Sequence, residues 1–355
     1  MAKSLLQKAL RRSLDRIKHV TPARTGGADD MVTRVYRQAE RDFGMLAPPV
    51  ALHSPAPGPL AASWMMLREP LLADGQVSRG AKEAVAAAVS LGNACPYCVT
   101  VHSATLSGLL GGPTAAAVTS GDMDSIADPD VRALAQWARR SGMRPDGRPQ
   151  DAPFSLEQAP EIAGVAVSFH YVNRMVDIFL DDSPLPPALP TLARGGVLRV
   201  LGRFISATAG HPHQPGASLE LLPAAPLPPE LWWAAGSPHI AEAFARASAA
   251  IEAAGHTHVP TPVRTALRSR LAGWDGRQLG LSRSWVEEEV LALPAGQQAS
   301  GRLVLLTALA PFQVDQSVID AFGREQPGDQ ALIATTSWAS MAAARQIASW
   351  LQISC

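Results

Sequence analysis

No run of about 18 apolar residues occurs in the 355-residue sequence, so no segment reads as a membrane-spanning helix. Charge of one sign is not in excess: 31 Lys and Arg face 31 Asp and Glu. That balance removes the global electrostatic reason to expect a nucleic-acid partner. Lysine itself is scarce, at Lys3, Lys8, Lys18 and Lys82, and arginine supplies the remaining positive charge. Aromatic residues make up only 5%. Alternation of apolar and polar residues at period two is missing, which argues against half-buried strands. Cysteine is limited to Cys95, Cys98 and Cys355. An odd number, two of them three apart, does not make a secreted disulfide framework. A cytoplasmic protein with one working cysteine pair fits better, with Cys355 as a bystander.

What the chain does have is alanine and leucine. Apolar residues reach 47% against 17% charged, enough for a sizeable core. Ala and Leu lose little entropy in a helix. Proline-rich stretches at 47–59, 143–160, 181–190 and 211–229 separate segments of helical periodicity. The fold class expected is all-α. Two short apolar runs, 196–201 and 303–309, are ambiguous on periodicity alone. At the N-terminus, Leu5, Leu6, Leu10, Leu14 and Ile17 fall at helical spacing among Lys and Arg. They predict a basic amphipathic helix that docks on protein, without stable membrane insertion.

A faint internal repeat sets residues 60–75 against 240–255. Leu60 aligns with Ile240, Trp64 with Phe244, Leu71 with Ile251 and Gly75 with Gly255. After a two-residue shift, Val85 aligns with Leu267 and Val89 with Leu271. Such a long period suggests a duplicated unit. The second copy has Thr265 opposite Glu83, Arg277 and Gly280 opposite Cys95 and Cys98, and Ser284 opposite His102. The division expected is a basic extension at 1–46, a helical unit with the cysteine pair at 47–195, and a degenerate copy at 196–355.

The chemistry concentrates between Glu83 and His102. Residues 78–91 predict one helix, which Gly92 ends. Asn93 reads as the N-cap of the next helix and Pro96 as a first-turn residue. Cys95 and Cys98 then fall in the first turn, where unpaired N–H groups and the helix dipole favour a thiolate. Helix N-termini can lower a thiol pKa from about 8.5 to between ~3.5 and ~7.5. Spacing i, i+3 brings the two sulfurs within disulfide reach. His102, four residues after Cys98, lies one turn further on the same face and can move protons. Glu83 can orient His102 if the two helices pack antiparallel.

Glu83, eleven residues, Cys95-x-x-Cys98, three residues and His102, with Ser90, Asn93 and Tyr97 at matching positions, resembles the signature of the alkylhydroperoxidase D and carboxymuconolactone decarboxylase superfamily. The resemblance implies an all-helical homo-oligomer. It implies that Cys98 attacks a hydroperoxide, that Cys95 resolves it as a disulfide, and that Glu83 and His102 relay protons. It implies no bound cofactor and no metal. The reductant is an external dithiol such as a lipoyl group or a thioredoxin-like protein. The decarboxylase branch lacks the cysteine pair.

Several other groups have plainer explanations. Ser90 and Asn93 read as hydrogen-bonding residues. His170, in the apolar helical segment 162–180, either lines the pocket beside the thiols or is a satisfied core group. His211 and His213 on a proline-rich loop read as solvated, and Trp232, Trp233 and Trp338 as core or interface. Cys95-Pro96-Tyr97-Cys98 also matches a glutaredoxin tetrapeptide, but a long Ala-rich helix precedes it instead of a strand. A thiol-disulfide oxidoreductase, a non-enzymatic redox sensor and a structural zinc site of Cys95, Cys98, His102 and Glu83 are the rival functions. One preparation separates the zinc reading from the redox one. The purified protein should carry no stoichiometric metal, and its pair should titrate as two thiols.

Overall fold

The computed structural model describes residues 13–25, 30–145 and 152–353. Leu5, Leu6, Leu10 and Cys355 lie outside the described residues. Among the described residues there is no strand, and fifteen α-helices are joined by short 3-10 turns and prolines. The two ambiguous apolar runs both belong to helices. No described helix is long and apolar enough to cross a membrane.

The first half contains α1 (Met31–Asp42), α2 (Pro48–Ala51), α3 (Pro57–Leu67), α4 (Arg79–Gly92), α5 (Pro96–Leu110), α6 (Gly112–Ser120), α7 (Pro129–Arg140) and α8 (Ala159–Phe179). Helix α9 (Thr191–Thr208) leads to the second half, which holds α10 (Pro238–His258), α11 (Thr261–Ala272), α12 (Ser284–Leu291), α13 (Gln298–Leu309), α14 (Gln316–Glu325) and α15 (Asp329–Ala348). Residue 195 lies inside α9, and α9 packs on α5, so the packing of the first half continues to Thr208. Residues before 47 are likewise part of the body. Helix α1 packs on α3, and Val35, Tyr36, Phe43 and Met45 are buried. Near the N-terminus a 3-10 turn, Ser13–Arg16, is pinned by Arg16 Nη2 to Asp181 at 2.9 Å, and Ile17 joins the core.

Helices at matching positions of the two halves meet each other: α3 packs on α10, and α8 on α15. Leu60, Trp64 and Leu71 are buried, as are Ile240, Phe244 and Ile251. One hydrophobic core runs through both halves. Helix α8 lies at its centre and is buried for nearly its whole length, with apolar residues on every face and a few polar groups among them. Helix α3 continues into a π-turn, Arg68–Leu72, at Pro70, whose missing N–H breaks the regular ladder.

Helices α4 and α5 form an antiparallel pair. Ser78 caps α4, its Oγ accepting from the Ala81 N–H at 3.2 Å. The turn between them is sharper than the sequence suggested. Asn93 ends α4, Ala94 takes the left-handed conformation at φ 56°, and Cys95 stands at the N-cap position of α5. The expected capping role of Asn93 is therefore corrected: the left-handed step at Ala94 delays the helix start by two residues. Left-handed geometry costs a non-glycine residue about 1–2 kcal/mol. The turn is held by Ala94 N–H to Leu91 O (3.1 Å) and Cys95 N–H to Ser90 O (2.9 Å).

Gly92 sits where α4 crosses α7, and any Cβ there would collide with the Arg139 carbonyl. Alanine would raise helix propensity by about 1 kcal/mol. Overpacking against a rigid backbone oxygen costs about 1–3 kcal/mol, so the collision outweighs the gain. Gly92→Ala should lower stability by about 1–2 kcal/mol in denaturant unfolding, against the sign that helix propensity alone would give.

Candidate active site

Glu83 is fully buried on α4 and faces α5. Its Oε2 lies 2.6 Å from His102 Nδ1, and its Oε1 accepts from Arg79 Nη2 at 2.6 Å and from Nε at 2.8 Å. Burial pushes the Glu83 carboxyl up, but the charges of Arg79 and His102 and their hydrogen bonds outweigh it, and the net shift is downward. Glu83 is therefore the anionic member. It accepts the Nδ1 proton of His102 and leaves Nε2 without a protein partner among the described residues. Phe169 meets the imidazole edge-on, with ring centroids 4.6 Å apart.

Cys98 and His102 open on a narrow apolar cavity of about 80 Å³. Tyr97 lines it with them, and Phe43, Leu201 and Ile205 supply part of the apolar wall. Burial pushes the Tyr97 phenol well up, so it stays neutral. Cys98 thus shares an apolar cavity with a carboxylate-held histidine one helical turn away.

Cys95 faces elsewhere. It is completely buried and does not line this cavity. The sequence placed both cysteines where a helix terminus favours thiolates. For Cys95 that expectation is overturned. Burial raises its pKa well above the ordinary value, the neighbouring Cys98 and Asp177 raise it further, and the Cys98 N–H opposes this more weakly. The desolvation of a completely enclosed sulfur outweighs the terminal dipole. Both cysteines are free thiols.

Ser90, Asn93 and His170 line neither the Cys98 cavity nor its mouth. They belong to a hydrogen-bond chain that ties α4, α7 and α8. Asn173 Nδ2 donates to Ser90 Oγ (3.1 Å) and Asn93 Nδ2 to Asn173 Oδ1 (2.8 Å). His170 Nδ1 meets Asn93 Oδ1 at 3.2 Å, and its Nε2 meets Ser141 Oγ at 2.9 Å. Burial and the nearby Arg174 lower the His170 pKa to about 3, so it is a neutral core group. Asn93 does border a second, larger cavity of about 360 Å³ between the halves.

Three residues of the site escaped the sequence reading. Arg79 carries a legible signal, lying four residues before Glu83 on one helical face. Phe169 does not, because an aromatic residue in an apolar helix looks like any core residue. Asp177 is a lone carboxylate in the apolar segment 162–180, and its oddness there was the available signal. Elsewhere, His213 is held by the Thr208 carbonyl at 3.1 Å, Trp233 and Trp338 are buried, and Trp232 is exposed.

The depressed Glu83 pKa fixes a pH dependence. The Glu83 ion pair with Arg79 and its hydrogen bond from His102 are complete above its ordinary value of 4.5 and are lost as pH falls through the lower folded-state value. Breaking a buried pair costs about 3–5 kcal/mol. Glu83→Gln should therefore be less stable than wild type by about 3 kcal/mol at pH 7. The gap should close on acidification below the ordinary carboxylate range, as measured by denaturant unfolding across pH.

No family model matches the chain. The full sequence is similar to an alkyl hydroperoxide reductase of Mycobacterium tuberculosis (strain ATCC 25618 / H37Rv), with 40% identity over 340 residues, or 95% of each chain. A crystal structure described as an alkylhydroperoxidase AhpD core, an uncharacterised peroxidase-related protein from Ralstonia eutropha JMP134, aligns with 20% identity and a TM-score of 0.39, covering 51% of this chain and 98% of that one. Identity at this level along nearly the whole chain decides the kinship, and the protein belongs to the alkylhydroperoxidase D-like family.

Proposed function

We propose that the chain is a thiol peroxidase that reduces organic hydroperoxides through a Cys95–Cys98 dithiol and disulfide cycle. The observation that carries this reading is the joint exposure of Cys98 and His102 to one apolar cavity, with His102 held by the buried, anionic Glu83. His102 Nε2 takes the Cys98 proton, and the imidazolium is stabilised by Glu83. The thiolate attacks the outer oxygen of the hydroperoxide, the O–O bond breaks, and the alkoxide leaves with the proton from His102. Cys98 becomes a sulfenic acid. Cys95 then displaces its hydroxyl, giving the disulfide and water. An external dithiol, a lipoyl group or a thioredoxin-like protein, restores both thiols by exchange. The apolar lining favours an alkyl hydroperoxide over hydrogen peroxide, because the alkyl group gains from leaving water.

The zinc reading has less support. Both Glu83 oxygens are engaged, by Arg79 and by His102. Among the described residues no three His, Cys, Asp or Glu side chains converge as an ion would require.

Peroxide consumption driven by dihydrolipoamide tests the proposal. Cys98→Ser should abolish it, and Cys95→Ser should stop after one turnover with a sulfenic acid retained. His102→Ala should slow peroxide reduction by about 10²–10⁴-fold, the usual size of an acid–base contribution. Equal rates in wild type and both cysteine variants would sink the peroxidase reading.

A further inference from the structure

Cys98 opens on one cavity and a second is lined by Asn93 and Ala94 just before Cys95, and the peroxidase cycle accounts for only the first. Cys98 faces the apolar cavity with His102. Cys95 lies on the other side of the pair, enclosed by protein, and Glu83 and His102 serve the Cys98 side. Its thiol must lose a proton when it attacks the sulfenic acid, and burial makes that loss difficult.

One group stands where that proton can go. Asp177, in the last turn of α8, lines the larger cavity together with Asn93 and Ala94, the two residues that lead into Cys95, and the Cys95 thiol is among the groups that act on its carboxyl. It is enclosed by protein on most sides and opens on the larger cavity between the halves. Arg174 lies one helical turn before it, and its guanidinium is held in place by three contacts. Nε donates to the Ala308 carbonyl at 2.8 Å, Nη1 donates to the His170 carbonyl, and the guanidinium carbon lies 5.7 Å from the Trp274 ring centroid. Ala308 and Trp274 belong to the half without the cysteine pair.

We propose that Asp177 is a second catalytic residue, the proton acceptor of Cys95, and that the cavity between the halves connects it to solvent. The assignment rests on the dithiol cycle described above. In the resolving step the Cys95 S–H bond breaks and its proton passes to an Asp177 carboxylate oxygen. The S–S bond forms as the S–O bond of the Cys98 sulfenic acid breaks. The departing hydroxide gains a proton from solvent by way of His102 and leaves as water. Asp177 returns its own proton to solvent through the cavity, so protons and electrons balance. On reduction an external thiolate attacks the Cys98 sulfur, the S–S bond breaks and Asp177 protonates the Cys95 sulfur as it is released; the second thiol of the reductant then displaces Cys98 and carries the disulfide away.

The electrostatics suit this role. Burial raises the Asp177 pKa to about 7. The Cys95 hydrogen bond, Arg174 and Lys18 lower it, and Asp182 raises it. Arg139 also borders the cavity. A carboxyl group poised near neutrality both accepts and returns a proton at working pH.

The two chemical steps can be timed separately in the full-length protein. Trapping of the Cys98 sulfenic acid by dimedone reports the first, and loss of free thiols reports the second. In wild type, disulfide formation should rise between pH 6 and pH 8. Asp177→Asn should form the sulfenic acid at the wild-type rate, which also shows an intact site. It should close the disulfide roughly 100-fold more slowly, accumulate the dimedone adduct and lose the rise near pH 7. Asp177→Glu keeps a carboxyl group and should keep a pH-dependent rise. Disulfide closure in Asp177→Asn at the wild-type rate and with the wild-type pH profile overturns the assignment of Asp177 while leaving the peroxidase reading intact. Failure of wild type to form any sulfenic acid at Cys98 removes the parent reading, and this one with it.

Discussion

Glu83 is a carboxylate buried without access to water, and the site tolerates it only because Arg79 and His102 reach it together. An isolated charge in such a place would take up a proton. With two cationic or proton-donating partners the anion survives, and the histidine is then committed to one tautomer. That commitment frees Nε2 for chemistry. The spacing of Cys98, His102 and Glu83 follows from it. So does the antiparallel approach of α4 and α5, since the carboxylate and the imidazole sit on opposite members of the helix pair.

The turn that joins those helices shows how backbone geometry divides the labour of two chemically identical residues. Ala94 in its left-handed conformation places Cys95 at the helix cap and Cys98 a turn within. One sulfur is left at an apolar opening and the other is enclosed. Helix α8 completes the division. Phe169 and Val172 wall the cavity of Cys98, whereas Asn173, Arg174 and Asp177 wall the other. The asymmetry between the two cysteines thus comes from one strained residue and one buried helix.

Much of this was legible in the sequence. The run 78–91 announced α4, and Pro96 announced the first turn of α5. The order Glu83, Cys95, Cys98, His102 carried the Cys98 side of the site, because those groups lie within two consecutive helices. What lay further apart was not legible. Asp177 is 82 positions from Cys95, and only the packing of α8 against the α4–α5 turn brings them together. Asn93 was misplaced because nothing in its residue type distinguishes a helix end from the next helix start. The state of Cys95 was misjudged because a local dipole can be read from the chain, but complete burial depends on elements that arrive much later. The ambiguous run 303–309 became a helix whose carbonyl at Ala308 holds Arg174. No local pattern foretells such a contact.

The continuous core has a consequence for the half that lacks the cysteine pair. Its residues Trp274 and Ala308 hold Arg174, and its helix α15 packs along α8. A lesion there loosens the floor beneath the thiols without touching them. The integrity of the thiol site is thereby a property of both halves, although only one of them carries the pair.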